Sequence, residues 1–345
     1  MNDIRRTILW VIFGFSMVLL WDQWQAFNGH KATFFPSSTQ AAKAPAAGSA
    51  PGTSAAAVPN PGTIPGSPAA VPAGAPSTAS LAAKERVVVD TDVLSLTFDS
   101  EGGTLVHTAF KKYKDMTDKE KGFVLLDESA NRVYVAQSGL VAGSTGGTFP
   151  THKTLMTLLP GARALTDGQN ELQVKFESAD IGGVKLVKTY TVKRGAYDMA
   201  VKHEIINTGS TPVSPQLYLQ LVRDGNKPPG ESSFYSTFTG PAIYTEAKKY
   251  QKVEFKTIES NKVDVEKEAT NGYVAMVQHY FASAWILPDG LKRDLFLRKV
   301  DTNLYAVGMI TPLDPIAPGA TKTVDAKFFV GPQEEKVLEA LAPGL

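Results

Sequence analysis

The chain contains no cysteine, and that single absence excludes disulfides, thiolate zinc sites, iron–sulfur clusters and cysteine nucleophiles. It also lacks an excess of either charge. Its 35 basic residues stand against 34 acidic ones, so no global basic field draws it onto nucleic acid. Catalytic signatures are missing too: there is no GxxxxGK[ST], no GxGxxG and no HExxH. PGESSF at 229–234 and GSTGG at 143–147 come nearest to a nucleophile elbow, but lack its second glycine at the right spacing or its strand-to-helix setting. The histidines, His30, His107, His152, His203 and His279, never recur at i, i+2 or i, i+4. A metal site would have to be assembled from distant strands.

What is present begins with an apolar run, TILWVIFGFSMVLLW over 7–21, preceded by Arg5 and Arg6. On its own the run rises only about 22 Å, short of the roughly 30 Å of bilayer hydrocarbon. A helix over 4–24 reaches about 31 Å, with Trp10 inside the span, Arg5 and Arg6 at one headgroup layer, and Trp21 and Trp24 at the other. A cleaved signal peptide would need a small-x-small pair, which WDQWQAFNGH does not offer. The expectation is an uncleaved anchor over 1–31 in a lipid bilayer, its N-terminus cytoplasmic by the positive-inside rule and all that follows Trp24 on the far side.

Residues 32–83 carry one charge, Lys43, and nine prolines: Pro36, Pro45, Pro51, Pro59, Pro61, Pro65, Pro68, Pro72 and Pro76. Such a segment has too little apolar bulk to offset its ordering entropy, and proline removes helix and ladder donors. It is expected to be a disordered tether.

From Lys84 onward the apolar residues alternate with period two, the mark of half-buried strands. In VLSLTFD, Leu94, Leu96 and Phe98 point one way, and SEGG at 100–103 supplies a turn. VKLVKTYTVKRGAYDMAVKHEIIN reads as a hairpin turning at Arg194-Gly195, with Tyr197, Met199, Val201 and Ile205 on one face. Further strands are expected at 123–127, 132–137, 171–178, 215–222, 303–310 and 322–330. The fold class is therefore mainly β, a large antiparallel β-sandwich over 84–345. PQEEKVLEALA predicts a closing helix over 332–342, with Pro332 in its first turn and Val337, Leu338 and Leu341 as its apolar stripe.

GYVAMVQHYFASAWIL, at 272–287, is short for a membrane crossing and is interrupted by Gln278 and His279. Its odd positions, Tyr273, Val277, Phe281, Trp285 and Leu287, fit a half-buried or fully buried strand pair, the inside of the sandwich. His203 falls on the apolar face of its strand, where a hydrogen-bonded core histidine outweighs a catalytic base, and the same discount applies to His279. Glu101, Asp224 and Glu231 sit beside turn glycines and read as loop carboxylates. KKYKDMTDKEKG (111–122) and EAKKYQKVEFK (246–256) mix both signs and read as solvated loops or edges.

Five segments carry a resemblance: TDVLSLTFDSEGGTL (91–105), VKTYTVKRGAYDMAV (187–201), YQKVEFKTIES (250–260), GYVAMVQHYFASAWIL (272–287) and FFVGPQ (328–333). With the anchor before them, they resemble in order and content the N-terminal part of the YidC family of bacterial membrane protein insertases, Gram-negative type. The resemblance implies a periplasmic β-supersandwich, similar to galactose mutarotases, closed by a helix that leads back to the inner membrane. It implies work without a cofactor on nascent integral membrane proteins, alone or beside the Sec translocon, whose accessory subunits are expected partners. The family's groove, with its arginine and five further transmembrane helices, would follow Leu345, so no catalytic, cofactor or metal residue is carried over. Val337, Leu338 and Leu341 are assigned a coupling role. A membrane-tethered mutarotase-like enzyme or sugar binder, using a histidine and a carboxylate in a cleft, is the competing expectation.

Overall fold

A computed structural model describes residues 84–143, 146–228 and 237–342. The expected anchor with Arg5, Arg6, Trp10, Trp21 and Trp24, the tether over 32–83, and PGESSF with Glu231 lie outside the described residues. The elements in chain order are β1 (Arg86–Asp90), β2 (Leu94–Asp99), β3 (Thr104–Lys114), β4 (Gly122–Glu128), β5 (Val133–Ala142), β6 (Met156–Leu158), β7 (Glu171–Ser178), β8 (Val184–Lys193), β9 (Asp198–Asn207), β10 (Pro215–Asp224), β11 (Thr239–Thr245), β12 (Lys249–Lys252), α1 (Phe255–Glu259), β13 (Glu268–Ala269), β14 (Tyr273–Gln278), β15 (Phe281–Ile286), β16 (Arg293–Asp301), β17 (Leu304–Pro312), β18 (Thr321–Pro332) and α2 (Glu335–Leu341).

They form two nine-stranded sheets. The first runs β1-β2-β3-β4-β5-β10-β17-β16-β13, the second β12-β11-β14-β15-β18-β9-β8-β7-β6. Neighbours pair antiparallel, as β10 does with β17 and β8 with β9. The expected large antiparallel sandwich is therefore what the chain forms. Alternation explains why: in β7, Leu172, Val174 and Phe176 are buried while Glu171, Gln173 and Lys175 are exposed. The inward residues of both sheets make one core, with Phe98 and Leu105 of the first sheet meeting Phe176, Met199, Trp285 and Phe328 of the second. Phe98 packs 4.7 Å from Tyr190, ring centre to ring centre. Each such side chain taken fully out of water contributes about 1.5–3 kcal/mol.

Polar groups also bridge the two sheets. Lys188 on β8 donates at 2.6 Å to the carbonyls of Gly102 and Ser138, and Tyr190 donates to Gly103 at 2.7 Å. His203 on β9, wholly buried, meets Ser138 Oγ at 2.9 Å. The β2–β3 turn they hold requires glycine at 102. Its φ is +72°, and a Cβ there would sit 2.4 Å from the His152 carbonyl oxygen.

Three expectations are corrected. The closing helix begins at Glu335 instead of Pro332, because β18 continues through Pro332, which pairs with Phe281. The strand expected over 132–137 runs on to Ala142, paired along its length with β10. The run 272–287 is the expected buried strand pair, but its odd positions do not share a face. β14 and β15 join through a two-residue turn, so partners sum to an odd number: Val274 faces Trp285 and Tyr273 faces Ile286. Tyr273 and Val277 therefore point outward while Phe281, Trp285 and Leu287 join the core between the sheets.

Candidate functional site

The outer face of the second sheet is the surface that Leu338 and Leu341, two of the predicted coupling residues, meet. Here β11, β14, β15 and β18 present small residues, Ala242, Ala275, Ala282 and Ala284, flanked by Tyr273, Val277 and Phe329. Alanine side chains leave room for a helix to approach the sheet closely. α2 lies on this shelf, with Leu338 only 6 % exposed and Leu341 packed at the border of the same cluster. The side chain of Val337 lies outside the described residues.

The helix is pinned at its start. Glu334, in extended conformation, precedes its first turn and Glu335 places an acid there, the favourable sign for the helix dipole. The hydroxyl of Tyr113 donates to Glu334 Oε1 at 2.6 Å. The Gln333 amide donates to the carbonyls of His279 at 2.6 Å and Phe281 at 3.1 Å, and its backbone N–H to Tyr280 at 2.7 Å. Tyr113 and Phe123, on the two arms of the β3–β4 hairpin, both pack on Phe281, at 5.4 and 4.2 Å between ring centres. The strand-to-helix junction is thus tied to both sheets.

Beside α2 opens a groove of about 510 Å³, lined by Tyr244, Tyr273, Ile286 and Leu341 and rimmed by Asp289 and Asp325. Its tyrosine rings stack nearly parallel at 5.3 Å. Arg293, fully buried, holds the adjoining loops by donating to the carbonyls of Thr270, Gly272, Leu287, Pro288 and Leu291. An apolar floor with a polar rim, shaped by a helix and two clamped loops, is suited to holding a side of another polypeptide.

The histidines are spread over the fold. His203 is a core residue bonded to Ser138, and burial pulls its pKa down to about 3. His279 occupies the β14–β15 turn at φ +51° and meets Thr237 Oγ1 at 3.2 Å. Neither has a carboxylate partner. The sequence reading missed the histidine–carboxylate pair found among the described residues. His107 Nδ1 lies 3.1 Å from Asp127 Oδ1, in a cleft of about 490 Å³ that Asp115 and Asp224 also line. Those two carboxylates are already engaged: Asp224 accepts from the N–H groups of Val133 and Asn226, and Asp115 from Thr117 and Asp118. No local motif joins positions 107 and 127, which meet only because β3 and β4 form a hairpin. Among the described residues no group of three or more His, Asp or Glu is placed to hold a metal ion.

These features define a β-sandwich domain whose outer face is closed by its own C-terminal helix and grooved beside it. The chain belongs to the YidC family: the sequence model described as YidC periplasmic domain matches residues 86–345. Curated relatives named membrane protein insertase YidC include those of Janthinobacterium sp. (strain Marseille), 44 % identical over 342 residues, and Bordetella pertussis (strain Tohama I), 49 % identical over 345. Each alignment covers 99 % of this chain and 60 % or 61 % of the relative, so the chain spans about three fifths of the length of those relatives. Among solved structures, a galactose mutarotase related enzyme from Lactobacillus acidophilus aligns at TM-score 0.45 and 6 % identity, over 73 % of this chain and 99 % of that one. A galactose mutarotase-like protein from Lactobacillus casei aligns at TM-score 0.44 and 8 % identity, over 72 % and 100 %. At those values the likeness says nothing about activity.

Proposed function

We propose that the chain supplies the anchor and periplasmic interaction domain of a bacterial inner-membrane insertase and chaperone, which helps nascent integral membrane proteins insert, fold and assemble, alone or with the Sec translocon. The observation that carries this reading is the family match over 86–345 together with relatives named membrane protein insertase. In it, residues 1–31 anchor the chain through Arg5, Arg6, Trp10, Trp21 and Trp24 with the N-terminus cytoplasmic, 32–83 tether, and 84–345 form the periplasmic domain. The domain acts by contact and not by catalysis. α2, through Val337, Leu338 and Leu341, couples the sandwich to the insertase core and to Sec accessory subunits, with the adjoining groove as the contact surface.

The test uses the whole gene in cells depleted of their own insertase. The parent gene is expected to restore membrane-protein insertion, and Leu338→Asp with Leu341→Asp to restore it less well at equal protein level. Failure of the parent gene removes the insertase reading. Full restoration by the double variant removes the coupling role alone. Protease added to spheroplasts is expected to degrade residues 84–345, and full protection would reverse the topology.

A further inference from the structure

The outer face of the first sheet, opposite the core, carries buried donors that have no hydrogen-bond partner among the described residues. β5, β10, β17 and β16 lie side by side there, and their register places Tyr218 beside Gly139 and Ile310, Gln220 beside Gln137 and Gly308, and Phe296 beside Gly308. Gly308 is what lets the Phe296 ring lie flat on the sheet, since a Cβ there would meet Phe296 Cζ at 2.4 Å. Arg298, two residues along on the same face of β16, folds back over that ring, its guanidinium carbon 5.0 Å from the ring centre. Its Nε and Nη2 are buried and have no hydrogen-bond partner among the described residues. These two nitrogens form the edge of guanidinium that receives two oxygens of an oxyanion side by side.

A third donor faces the same region. His152 is 2 % exposed, and its backbone N–H donates to the Tyr218 hydroxyl at 2.8 Å. That hydroxyl lies 2.6 Å from His152 Nδ1, the one acceptor available to its own proton. Nδ1 is therefore the acceptor of this bond, and the ring proton sits on Nε2. Nε2 is buried and unpartnered as well. The Phe296 ring that carries Arg298 also packs against the cluster containing Tyr218, which places the guanidinium on the same part of the face as the Tyr218–His152 pair. Three buried N–H-bearing nitrogens without a partner, two of them on a cation, are costly to leave in this state, and an anion relieves them at once.

We infer that this face binds a phosphate-class oxyanion, two oxygens on the Nε–Nη2 edge of Arg298 and a third on His152 Nε2–H. The third donor is the reason for preferring phosphate to carboxylate, whose two oxygens the guanidinium edge already occupies. Arg298, Phe296 and Gln216 are partly exposed, so the residues around the buried donors reach solvent. A free phosphate ester and a phospholipid headgroup present the same group, and the site recognises what they share.

The test is titration of the 345-residue chain, in detergent, with inorganic phosphate, with short-chain phosphatidylglycerol and with acetate, following the imidazole Nε2 resonance of His152. Saturable movement of that resonance by phosphate or by the lipid supports the site, and the tighter of the two identifies the source. Arg298→Gln is expected to weaken binding by about thirtyfold or more. Arg298→Lys, which keeps the charge and loses the fork, is expected to fall between. No saturable response, an equal response in Arg298→Gln, or a response to acetate alone would overturn the inference.

Discussion

The Tyr113 hydroxyl, on the β3–β4 hairpin of the first sheet, donates at 2.6 Å to the Glu334 carboxylate, the residue from which the helix on the second sheet begins. The two sheets are thereby joined at the point where the chain turns outward. Burial, then this bond, push the Tyr113 phenol well above its ordinary range, so the hydroxyl keeps its proton through alkaline conditions. Tyr113→Phe is expected to cost about 1 kcal/mol. Faster amide exchange in 335–341, with little change in the global unfolding midpoint, is the expected signature.

Leu338 sits in a cluster separate from the main core. Leu338→Ala should therefore release α2 without unfolding the sandwich. The loss is about 2–4 kcal/mol for a buried leucine, read as local opening in hydrogen exchange. A matching fall in the stability of β7–β9 would show that the helix is part of the core after all.

Lys188 is fully buried, and desolvation pulls its pKa from 10.5 down to about 7. Between those values the unfolded chain holds a proton that the folded chain does not. Stability should therefore rise as pH increases from 7 to 10.5, and its Lys188 contribution should be lowest below pH 7. Denaturant midpoints taken across that window should lose this slope in Lys188→Met. A slope unchanged by the substitution would show that other groups cause it.

His152 and His203 behave in the acid range as Lys188 does in the alkaline one. Burial, the largest cause in each case, lowers both from 6.5 to about 3. As pH falls from 6.5 toward 3 the unfolded chain takes up protons that the folded chain refuses, so stability falls. His203→Gln is expected to flatten the acid limb of a pH–stability curve while lowering stability at pH 7 through the altered bond to Ser138.

The strands around 94–99, 171–178 and 184–207 were legible from the chain alone because side-chain alternation is a local property of an extended backbone. β16 was not, since RDLFLRKVD places charged residues along a strand whose outer face is itself part-buried. The family too was legible, carried by short segments whose order the full-length comparison bears out.

What alternation cannot specify is which strand lies beside which, and in what register. The face occupied by Tyr273 and Val277 depended on a two-residue turn that reverses parity between β14 and β15. The meeting of His107 with Asp127 and of Tyr113 with Glu334 depended on partners 20 and 221 residues apart, and that of Tyr218 with His152 on partners 66 apart. The β class and the family are written in spacings of a few residues. Where polar groups converge is not, because pairing is chosen by the burial of the whole sheet and not by any segment of it.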